Sequence, residues 1–229
     1  MESMPEKNIE ILIRARYPLI YIVSFEEMRV IHSMKNISNR RNKQLFLWSI
    51  TQGLETPDGS CLAEFKDPVK VLEYILQMDS NGVFVLKDFH HYMNDPVIIR
   101  KLRDLGHSLK LTMKNVVFLS PALKIPGELE KEIAVVDYTL PGKDELVAII
   151  RNIAESVGGN TLDTIGNPEF LNKIVEAALG LTAEEAENVF AKSLVESGEF
   201  NLKTIPAEKE QIIRKSGVLE YYHASENMK

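Results

Sequence analysis

The residues most open to a chemical reading lie between Tyr17 and Ile31, in "YPLIYIVSFEEMRVI". An apolar, β-branched run ends at Ser24 and passes straight into an acidic helix start. Such strand-to-helix junctions are where α/β proteins commonly seat a phosphate. The chemistry has a definite residue requirement. In Gly-x-x-x-x-Gly-Lys-Ser/Thr, glycines let backbone N–H groups wrap the anion, the lysine reaches its terminal oxygens and the hydroxyl holds magnesium. This junction instead reads Val23-Ser24-Phe25-Glu26-Glu27, with neither glycine nor lysine. Phe25 is expected to crowd a phosphate. Glu26 and Glu27 are expected to repel one at a helix end that would otherwise attract it. A unit charge pair ~4 Å apart is worth roughly 4 kcal/mol at an effective dielectric of about 20, so the sign of these charges decides against a bound polyphosphate.

The elements that position this junction follow from periodicity. Apolar runs at 19–24, 44–50, 82–89, 114–120 and 133–140 read as strands covered on both faces. Helical patterns separate them, two with an Asp-Pro start at Asp67-Pro68 and Asp95-Pro96. In the helix after the first strand, Met28, Ile31, His32 and Met34 are expected to face mostly inward. Residues 51–65, with Gly53, Thr56-Pro57 and Asp58-Gly59, read as a loop. Alternating strand and helix predicts a five-stranded parallel sheet with helices on both faces. From Lys143 the pattern is helical only, with Asn167-Pro168 and Thr182 as helix starts and Gly158, Gly180, Gly198 and Gly217 as stops. The expected organisation is an α/β core over 1–142, a helical subdomain over 143–216 and a linker or tail over 217–229.

Composition limits the function classes. The chain has 229 residues, 45% hydrophobic and 26% charged, with a formal net charge of −6, so no general attraction to nucleic acid or anionic lipid is expected. One cysteine, Cys61, cannot form an internal disulfide, and no apolar run approaches the ~20 residues that span a bilayer. A cytoplasmic-type location, or the plastid stroma, is expected, with no membrane partner. His90-His91 lacks an acidic or cysteine partner at ligand spacing, so no metal site is expected. The basic cluster Arg40, Arg41 and Lys43 is a candidate partner surface.

A parallel core followed by a small helical lid is the plan of the AAA+ ATPase module, and local sequences agree. "NGVFVLKDFHHYMNDPVIIRKLRDL" resembles the strand that normally ends in two acidic residues, with its helix. "KNVVFLSPALKIPGELEKEIAVVDYTLPGKDELVAII" resembles the fourth strand, the fifth strand and the approach to the lid. "IEILIRARYPLIYIVSFEE", "VFVLKDFH" and "EKEQIIRKSGVLEYY" resemble the N-terminal half of AAA-family ATPases of chloroplast genomes and cyanobacteria.

The resemblance implies a P-loop NTPase-like, Rossmann-like fold, and it implies roles that this chain fills incompletely. Asp88 stands where a magnesium-organising aspartate would sit, Phe89 where a water-activating glutamate would, and Ser120 where a polar water-sensing side chain would. Ser24, Phe25 and Glu26 replace the phosphate loop, and no arginine finger follows in "LKIPGELEKE". ATP and magnesium are cofactors of the full-length family, with none expected here and no catalytic residue. The expectation is a scaffold, oligomerisation or regulatory domain. Its partner would be a catalytic AAA+ module of the same polypeptide or a homo-oligomer, or another protein. The alternatives are an atypical nucleotide-dependent ATPase or a clamp-loader-like nucleic-acid adaptor.

Overall fold

The computed structural model describes residues 4–158, 161 and 165–216. The expected tail at 217–229, with Gly217, lies outside them. The chain divides between Thr139 and Leu140 into two compact units.

In the first unit, helix α1 (Met4–Arg14) leads into β1 (Leu19–Val23), α2 (Glu27–Arg40) and β2 (Gln44–Ser49). Two short strands follow, β3 (Gly53–Glu55) and β4 (Cys61–Leu62), then α3 (Pro68–Gln77), β5 (Gly82–Lys87), α4 (Pro96–Leu109), β6 (Asn115–Ser120) and β7 (Ile133–Asp137). They form one seven-stranded sheet in the order β4-β3-β2-β5-β6-β1-β7. The pairs β2–β5, β5–β6, β6–β1 and β1–β7 are parallel, which gives the five-stranded parallel core.

Strand alternation sorts the apolar residues onto two faces. Leu19, Tyr21, Phe46, Trp48, Phe84, Leu86 and Phe118 pack with Leu72, Ile75, Leu102 and Leu105 of α3 and α4. Ile20, Ile22, Val83, Val85, Val117 and Leu119 pack with Ile9, Ile13, Val30, Met34 and Ile37 of α1 and α2. Fully burying each such side chain is worth about 1.5–3 kcal/mol, so continuous apolar strands require helices on both sides. Asp67 and Asp95 cap α3 and α4 by accepting backbone N–H bonds, 2.7 Å from Val69 N and 2.7 Å from Val97 N respectively.

Two expectations are corrected. Residues 51–65 are not simply a loop: β3 pairs antiparallel with β2, and β4 with β3, extending the sheet edge. Strands this short carry no readable period. The inward face of α2 is also rotated from the expected one. Met28 and His32 are exposed and Ile31 is half-buried, while Val30, Ser33, Met34, Ile37 and Ser38 are buried. Buried serines hid the true stripe. Ser33 Oγ lies 2.8 Å from the Tyr138 hydroxyl, a partner invisible at helical spacing.

The second unit holds α5 (Lys143–Val157), α6 (Pro168–Ala178), α7 (Ala183–Ser197) and α8 (Thr204–Ser216). They share a core that includes Leu146, Ile150, Ile174, Val175, Phe190 and Phe200. Thr182 and Glu185 form a reciprocal capping box at the start of α7, and Gly198 ends that helix in the left-handed conformation.

Gly53 makes the hairpin possible. Its φ is +84°, and a Cβ there would stand 2.3 Å from the Leu62 carbonyl oxygen. Gly53→Ala is therefore expected to lower stability by about 1–3 kcal/mol. Urea unfolding followed by Trp48 fluorescence would check this; an unchanged midpoint would refute it.

Candidate functional site

Strand register brings the candidate residues to one edge. Val23 pairs with Ser120 on one side and Asp137 on the other, and Lys87 pairs with Leu119. The residues that follow β1, β5 and β6 thus meet at the carboxyl edge of the parallel strands, where open α/β sheets bind ligands.

Only Ser24, Phe25 and Glu26 separate β1 from α2, a turn shorter than a glycine-rich phosphate loop. Its polar groups are already engaged. Ser24 N–H donates to the Ser120 carbonyl at 3.0 Å, and Ser24 Oγ accepts from Glu26 N–H at 3.0 Å. Glu26 carboxylate lies 2.5 Å from Arg29 Nη1, with side chains only 4% and 15% exposed respectively. Arg29 Nη1 also donates to the Thr139 carbonyl at 2.8 Å, and its guanidinium stands 4.9 Å from the Tyr138 ring centroid. The Glu26 carboxylate does not cap α2; it stands at the helix start held by Arg29, adding negative charge where a phosphate would have to approach. Phe25 is not what closes the turn: it is 82% exposed, so the expected crowding comes from Glu26 and Arg29 instead. Beside them Lys87 Nζ pairs with Glu27 at 3.1 Å.

Asp88 adopts a left-handed conformation, φ 52°, and is exposed. Its carboxylate does not cap the short turn at Phe89–His91. Phe89 is buried against Trp48 and Phe118, with ring centroids at 5.3 Å and 5.7 Å, so this position holds core rather than a water-activating group. Ser120 is buried, and its Oγ lies 2.7 Å from His90 Nδ1. That pairing is absent from any motif. It arises because β5 and β6 are neighbours, so residues just past their ends touch. The Ser120 hydroxyl also bonds the Ala122 backbone, and the residue is only 2% exposed. Burial first, and the adjacent His91 second, push the His90 pKa below the ordinary histidine value, outweighing Asp88.

These residues do not fit a magnesium-bound nucleotide triphosphate. The turn is too short and has no lysine, its Ser24 and Glu26 side chains are engaged within the chain, and so is Ser120. Among the described residues no group of three or more His, Cys, Asp or Glu side chains could hold a metal ion, and no helix is long and apolar enough to cross a membrane.

The basic cluster lies at the other edge. Arg40 pairs with Glu6 at 2.9 Å and Glu10 at 2.7 Å, and Arg41 pairs with Glu10. Burial would raise the Glu10 pKa, but hydrogen bonds and charge from Arg40 and Arg41 bring it below the ordinary carboxylate value. Lys43 Nζ donates to Asn81 Oδ1, Asn115 Oδ1 and the Met113 carbonyl.

Residues 5–138 match the N-terminal domain of SpoVK-like AAA ATPases, and residues 144–216 match the second domain of the same proteins. The chain belongs to the SpoVK-like AAA ATPase family. It is 32% identical over 225 residues to the AAA domain-containing protein ycf46 of Guillardia theta, covering 95% of this chain and 43% of that one. The ycf46 protein of Trieres chinensis is 30% identical over 225 residues, with 95% and 44% covered. This SpoVK-like chain thus spans less than half the length of those relatives. Domain III of the Thermotoga maritima replication initiation protein DnaA shares the fold, with a TM-score of 0.53 at 12% identity, covering 93% of this chain and 94% of that one. The fold is therefore that of AAA+ P-loop ATPase domains.

The lowered His90 pKa makes stability pH-dependent. The unfolded chain takes up this proton near pH 6.5, and the folded chain does so only at lower pH. Stability is then complete above that value and falls as pH drops toward the folded pKa. The urea midpoint should decrease from about pH 7 to about pH 5, and His90→Asn should flatten that decrease. Equal slopes in both proteins would show that His90 does not contribute.

Proposed function

We propose that this chain is a non-catalytic N-terminal AAA+-like region of an AAA-family ATPase. In this reading it serves as a scaffold or regulatory module, and a following module binds and hydrolyses ATP. The observation that carries this is the ion pair Glu26–Arg29 inside a three-residue β1–α2 turn. A triphosphate seated there would have to displace a buried carboxylate from its arginine. Removing one partner of a buried pair commonly costs about 3–5 kcal/mol, and the turn itself carries no lysine to receive the phosphates.

Two further facts support the reading. The ycf46 relatives are more than twice as long as their matched portion. Phe25 and Met28, 82% and 76% exposed, project apolar surface beside the closed turn. The partner proposed for that surface is the catalytic AAA+ module of the same polypeptide, or of a neighbouring copy. Isolated large apolar side chains are common on surfaces; here two fall on the face next to the altered site.

Thermal unfolding of this chain with Mg-ATP provides the test. A site with a Kd of ~10 μM would stabilise the fold by about 2.7 kcal/mol at ~1 mM nucleotide, which raises the Tm by several degrees. No Tm change is expected, and isothermal titration should give no saturable heat. Micromolar binding that perturbs Ser24, Glu26 and Asp88 would overturn the proposal.

A further inference from the structure

The amino edge of the parallel strands carries a cleft of about 230 Å³. Three chain connections build it. Arg14 ends α1 and Arg16 follows before β1, Arg41 and Lys43 link α2 to β2, and Met113 precedes β6. Ile13 and Met113 supply an apolar wall, and no carboxylate lines the cleft. Positive charge is thus concentrated here in a chain whose net charge is −6.

The cations differ in how they are satisfied. Arg40 and Arg41 are neutralised by Glu6 and Glu10. Arg14 and Arg16 have no acidic partner among the described residues. Lys43 is half-buried, and its ammonium donates only to neutral oxygens. Burial, and then the charge of Arg16, pull its pKa below the ordinary lysine value. Like charges gathered without a counter-ion are unfavourable until an anion joins them.

Arg16 is also an expensive choice where it stands. Its φ is 59°. Arg16 N–H donates to the Ile13 carbonyl at 3.1 Å and Tyr17 N–H to the Leu12 carbonyl at 3.0 Å. This is the helix-ending motif whose left-handed position ordinarily carries glycine. At the end of α2 the equivalent position holds Asn42, φ 52°, a residue that tolerates the conformation better. The negative end of the α1 dipole favours a cation near this point, but a glycine would carry no backbone strain here, and the side chain that is present lines the cleft.

We propose that this cleft binds a small phosphorylated molecule, its phosphate gripped by Arg14 and Arg16, with the charge of Lys43 beside them, and its organic body resting on Ile13 and Met113. Two guanidinium forks lining one recess, with an ammonium charge behind them, suit a phosphate, which carries roughly two charges and three acceptor oxygens, better than a single carboxylate. The volume is below the roughly 300–1,000 Å³ of drug-sized pockets, which limits the organic part to a small one. A polynucleotide would need a groove that follows successive phosphates, whereas this is a single recess.

The test is titration of the chain with pyrophosphate and with phenyl phosphate, followed by calorimetry and by backbone amide shifts. Saturable binding is expected, with shifts confined to residues near 14–17, 41–43 and 112–115. Arg16→Gly should weaken binding at least about tenfold. The same variant should keep or raise the Tm, because glycine relieves the left-handed backbone, and a merely structural Arg16 would not couple those two changes. Arg14→Gln, on the exposed end of α1, should weaken binding without a change in Tm. Three results would each overturn the proposal: no saturation, an unchanged Kd in Arg16→Gly, or tighter and steeply salt-dependent binding of a single-stranded oligonucleotide.

Discussion

A buried ion pair closes the turn from β1 into α2, and much of the first unit is arranged around it. Glu26 at the helix start needs Arg29, and Arg29 in turn reaches the Thr139 carbonyl and the face of Tyr138. Tyr138 N–H donates to the Val23 carbonyl at 3.0 Å, so the segment after β7 is tied to the end of β1. From there a polar seam runs along α2. The Tyr138 hydroxyl meets Ser33, Ser33 meets Glu6, and Glu6 and Glu10 meet Arg40 and Arg41. Where a phosphate loop binds nucleotide, the positive end of the helix is matched by a phosphate; here the carboxylate at that end is itself neutralised by Arg29 and does not cap the helix.

That substitution changes what the two edges of the sheet can do. The carboxyl edge is closed by residues that bond to one another: Ser24 to Ser120 and Glu26, Ser120 to His90, Lys87 to Glu27. Buried polar groups there are satisfied internally, which stabilises one arrangement and leaves little to recruit a ligand. The amino edge has the opposite character. Its guanidinium groups at Arg14 and Arg16 meet no carboxylate, and its lysine is held by neutral oxygens. Fold family membership therefore says little about which edge is chemically open, since the same backbone frame carries both conditions.

Most of the architecture was legible in the sequence for a specific reason. Strands buried on both faces must be apolar throughout, and runs such as "LIYIV" and "GVFVLK" leave no alternative reading once helical patterns separate them. Asp67-Pro68, Asp95-Pro96 and Asn167-Pro168 marked helix starts because proline has no N–H to lose there and the residue before it caps. The β3–β4 hairpin was hidden because two or three residues carry no period. The phase of α2 was misread because Ser33 and Ser38 count as polar in any pattern, although tertiary packing buries both. The absence of a phosphate loop was equally plain from residue types. Its physical execution was not, since Phe25 looked obstructive and proves to face solvent.

By itself, then, the sequence determined the parallel core, the all-helical second unit and the loss of phosphate-binding residues at the β1–α2 junction. These depend on local periodicity and side-chain type, which a linear string contains. Only the tertiary structure decided that Glu26 finds Arg29 beside Tyr138, that Ser120 meets His90, and that Arg14, Arg16 and Lys43 converge on one cleft. Each of those needs strand order to bring distant segments together. Strand order follows from the packing of the whole sheet, not from any one of its strands.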